Sequence, residues 1–90
     1  MSEQPLTFAA FVLSLASSAA IHFGDLPDPT GTSEPNLEGA SQMIDILTLL
    51  EEKTRGNLTA EERQLIEQVL YELRLRFVEA KGNAKRIIVP

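Results

Sequence analysis

From Gln4 to Gly24 the chain carries no charged residue, and this stretch constrains the fold more than any other. Between Leu6 and Phe23, thirteen of eighteen side chains are apolar; the exceptions are Thr7, Ser14, Ser17, Ser18 and His22. The pattern predicts a helix over about residues 7–23, closed by Gly24 at the position where a left-handed residue ends a helix. Its apolar side chains surround the axis instead of forming one stripe. Such a helix is buried on most sides or lies in a membrane. Ala9, Ala16 and Ala20 fall near one face and Ala10, Ser14 and Ser17 near another, so a neighbouring backbone can approach closely.

Three settings compete for this helix. A membrane span needs about 20 predominantly apolar residues. The run here is slightly short, rich in Ala, interrupted by three Ser, and flanked by no Lys or Arg to set an orientation. A secretory signal opens with a positive segment, whereas this one opens with Glu3, so the chain is expected in the cytoplasm. Assembly is the third setting. One helical hairpin covers roughly half of the first helix, and the remainder forms a larger apolar patch than monomers ordinarily expose. Burying a Leu, Ile or Phe side chain is worth about 1.5–3 kcal/mol. A homo-oligomer is therefore expected, with a dimer as the commonest symmetric solution. Phe8, Phe11, Val12, Leu15, Ala16, Ala19 and Ile21 are the candidates for its interface.

The rest of the chain reads as two further helices. Residues 24–36 hold Pro27, Pro29 and Pro35, which preclude a regular helix or a central strand. Asp28-Pro29-Thr30-Gly31 is a turn, since Pro fixes φ and Gly accepts a positive one. Asn36 caps a helix over about 37–55, in which Ala40, Met43, Ile44, Leu47 and Leu50 share a face widened by Ile46 and Leu49. Gly56 closes it. Thr59-Ala60-Glu61-Glu62 is a capping box that starts a third helix over about 60–81, with Leu65, Ile66, Val69, Leu70, Leu73 and Phe77 on one side. Gly82 is the expected stop, leaving 82–90 as a frayed or docking tail. Only Gly56 to Leu58 separate the second and third helices, so these form an antiparallel hairpin. The expected fold class is all-α: one helical domain over residues 1–90, bundled further on oligomerisation.

Charge and composition narrow the function. The first 52 residues hold eight acidic and no basic side chains; from Lys53 onward eight basic face five acidic ones. Arg63 with Glu67 and Glu72 with Arg76 are spaced to pair along one helix, each pair contributing about 0.2–0.5 kcal/mol. The net charge of −5 argues against nucleic acid as a partner. The absence of Cys removes disulfides, Cys-rich zinc sites and thiol chemistry.

Several segments resemble a known bacterial family. Phe11-Val12-Leu13-Ser14-Leu15-Ala16-Ser17-Ser18-Ala19 comes first, followed by His22-x-Gly24, Asp28-Pro29, Gly31, Asn36-Leu37 and Ile44-Asp45. Leu50-Glu51-Glu52-Lys53-Thr54-Arg55-Gly56-Asn57-Leu58-Thr59 and Leu70-Tyr71-Glu72-Leu73-Arg74 complete the set. Together they resemble the family called domain of unknown function 1844, over about residues 8–78. The resemblance implies a small bacterial cytoplasmic helical protein. It transfers no catalytic residue.

No residue pattern supports catalysis, a cofactor or a metal. His22 is the only His and reads as a helix-terminal group beside the last carbonyls. Ser18, His22 and Asp25 have the i, i+4, i+7 spacing that any helix provides, and the Ser residues sit in an apolar helix. A calcium loop begun at Asp28 would need Gly and Glu where Ser33 and Gly39 stand. Gly24 and Gly31 lack the strand, helix and Lys of a phosphate loop. Asn57-Leu58-Thr59 is a turn followed by an N-cap, although it fits a glycosylation sequon. Lys53, Arg55 and Asn57 with Arg74 and Arg76 read chiefly as solvated or dipole-facing groups; gathering an acidic partner is the alternative. The sequence thus favours a structural or interaction module that binds itself and a cytoplasmic protein. The alternatives are a ligand or metal site built from His22 and the acidic Pro-rich loop, or peripheral membrane attachment through the first helix.

Overall fold

The computed structural model describes residues 5–31 and 34–88, with side chains as far as Gly82. Three helices fill it: α1 (Phe8–Phe23), α2 (Leu37–Lys53) and α3 (Ala60–Ile88). Each start is set locally. The Thr7 hydroxyl accepts from the Ala10 amide and the Asn36 side chain from the Gly39 amide, so both act as N-caps. At α3 the Thr59 amide donates to Glu62 at 2.9 Å while the Glu62 amide donates to the Thr59 hydroxyl at 3.1 Å, closing the capping box. α1 ends at Gly24, whose φ of 84° is left-handed and whose amide faces the Ala20 and Ile21 carbonyls. The Asp28 carboxylate accepts from the Thr30 amide at 2.9 Å, and the Gly31 amide donates to the Asp28 carbonyl at 2.8 Å. The Asp-Pro-Thr-Gly turn therefore forms as expected.

Two core clusters give the helix directions. Val12 packs with Leu47, Ile66, Val69 and Leu70; further along α1, Ala19 and Phe23 pack with Ala40 and Met43. As α1 advances, its neighbours on α2 fall in number, so these two helices are antiparallel. Phe23 meets Phe77 edge-on at 6.5 Å between ring centroids, so α3 runs parallel to α1. The result is an up-down-up bundle in which α2 and α3 form the hairpin.

The third helix departs from the sequence reading. It does not stop at Gly82 but continues to Ile88, and Gly82 has no positive φ. A Gly inside a helix costs about 1 kcal/mol relative to Ala, which weakens a helix without ending it. Among the residues whose side chains are described, Ala80 is the last one packed on the core, and the helix continues for about eight residues, some 12 Å, beyond it. Val89 and Pro90, the end of the expected tail, lie outside the described residues.

Candidate functional surfaces

Packing divides α1 into a buried and an exposed side. Val12 and Ala19 have no exposed surface, and Phe8, Leu15 and Ala16 are partly buried against the core clusters. Ile21 is half-buried and Phe11 is 37 % exposed. Of the seven interface candidates, Val12 and Ala19 thus have nothing left to present to a second copy, because α2 and α3 already cover them. The outward side consists of Ala10, Phe11, Leu13, Ser14 and Ser17, with Leu13 half exposed. Sequence reasoning left Leu13 out of the candidate set. A helix that is apolar all round gives no phase by which to choose its outer side.

The Ser residues carry no nucleophile geometry. The Ser14 hydroxyl donates to the Phe11 carbonyl at 2.8 Å, within its own helix. His22 lies in the last turn of α1, and its ring packs against Gly39 in the first turn of α2. Nearby, Ile21, His22, Asp28, Glu34, Pro35 and Asn36 line a cavity of about 440 Å³. The His and the acidic loop are therefore brought together, yet among the described residues no group of three His, Cys, Asp or Glu could hold a metal ion.

Arg76 fixes the segment after α1. Its guanidinium makes two hydrogen bonds to the Asp25 carboxylate, at 2.9 and 2.7 Å, and lies 5.3 Å from the centre of the Phe23 ring. This replaces the expected pairing of Arg76 with Glu72, whose carboxylate instead accepts from the Gln68 side-chain Nε2. A planar fork facing a carboxylate is the stronger arrangement. Arg63 and Glu67 do approach, at 3.7 Å. Arg74 donates to the Thr48 hydroxyl across the hairpin at 2.9 Å. Among the described side chains, the cations Arg63, Arg74 and Arg76 of α3 are thus engaged within the chain.

The hydrogen bonds from Arg76 hold the Asp25 carboxyl below its ordinary range. A carboxylate whose pKa is lowered by folding adds stability above its unfolded pKa and loses it as pH falls through the folded value. The contribution of Asp25 is therefore complete above about pH 4 and disappears on further acidification. The pair is part-exposed, which limits it to about 1 kcal/mol or less. Asp25→Asn should lower the urea midpoint at pH 7 and show a smaller loss than the parent between pH 5 and pH 2. An unchanged difference between the two proteins across that range would contradict this role for the ion pair.

A second apolar surface lies on the hairpin. Tyr71, Leu75 and Val78 are 64 %, 50 % and 66 % exposed. Together with Glu51, Glu67, Leu70 and Arg74 they line an open groove of about 370 Å³ between α2 and α3. The groove beside Tyr71 depends on how α2 and α3 cross.

The fold and these surfaces define a small all-α protein, an up-down-up bundle with apolar residues exposed on every helix. Residues 5–79 match the family described as Domain of unknown function (DUF1844), and the chain belongs to that family. The expected family resemblance is thereby established over most of the chain. No curated protein and no solved structure matches it. No helix among the described residues is long and apolar enough to cross a membrane.

Proposed function

We propose that the chain is a cytoplasmic homo-oligomeric interaction module, which associates with its own copies and offers an uncharged helix face to a protein partner. One observation carries this reading. None of the sixteen residues of α1 is Asp, Glu, Lys or Arg, although Ala10, Phe11, Leu13, Ser14 and Ser17 face outward. A solvent-facing helix side ordinarily carries charge. An apolar face without charges favours a protein contact over water, because each large side chain covered contributes about 1.5–3 kcal/mol. Leu26, Ile46 and Leu49 add exposed apolar surface elsewhere.

Light scattering behind size exclusion tests the self-association. At about 50 µM the expected mass is a multiple of the chain's 9.9 kDa, shifting toward the single chain on dilution. A single-chain mass throughout would overturn the reading. A rise in Tm with divalent cations, in a monomeric protein, would move the function to the cavity beside His22.

A further inference from the structure

We draw no further inference here: the strongest candidate, the exposed Tyr71–Leu75–Val78 face of α3 beside its groove with α2, is an unpartnered apolar surface, and nothing in the structure shows what covers it.

Discussion

Replacing Leu47 by Ala is expected to cost about 2–5 kcal/mol, enough to lower the melting temperature by some 10 °C or more. Leu47 is fully buried and joins Val12 of α1 to Ile66, Val69 and Leu70 of α3, so all three helices meet at its side chain. Truncation removes its transfer energy and leaves a cavity that three packed helices cannot close without moving together. A domain of this length has a stability of about 5–13 kcal/mol, so the loss is a large share of the total. Two residues along, Leu49 is 55 % exposed. Leu49→Ala should change stability by about 0.5 kcal/mol or less. Urea melts of both variants check the contrast, and equal losses would place the core elsewhere on α2.

The second large effect is expected at Gly39, and there the sign is informative. Gly39 sits in the first turn of α2, where Ala would ordinarily gain up to about 1 kcal/mol of helix propensity. A methyl group at this position would stand 2.5 Å from Nδ1, 2.8 Å from Cε1 and 2.9 Å from Cγ of His22. Three ring atoms, one of them next to the ring's attachment, cannot all yield by a small rotation. His22 must leave its rotamer or α2 must shift, and such overpacking costs about 1–3 kcal/mol. Gly39→Ala should therefore destabilise the parent. In a His22→Ala background the same substitution should be neutral or stabilising, because the obstruction is gone. A destabilisation of equal size in both backgrounds would show that the backbone, and not the imidazole, requires Gly there.

Much of the local structure was legible from residue chemistry. Asn36 and the Thr59 capping box announce the starts of α2 and α3, and Gly24 the end of α1, because cap groups act within four residues of themselves. Gly56, with φ of 87°, similarly marks the turn of the hairpin. Gly82 misled for the same local reason. A Gly after a periodic segment resembles a stop, and only its helical conformation within α3 distinguishes a weak point from an end.

Three helices, their order, the hairpin and the absence of Asp, Glu, Lys and Arg from α1 follow from short segments and their spacing. It took the packing of the three helices to turn Val12 and Ala19 inward and Leu13 out, to give Arg76 to Asp25 in preference to Glu72, and to rest His22 on Gly39. The physical reason is rotational phase. A helix apolar on every side can turn any of its faces inward with similar gain. Contacts such as Arg76 with Asp25, 51 residues apart in the chain, exist only once packing has chosen that rotation.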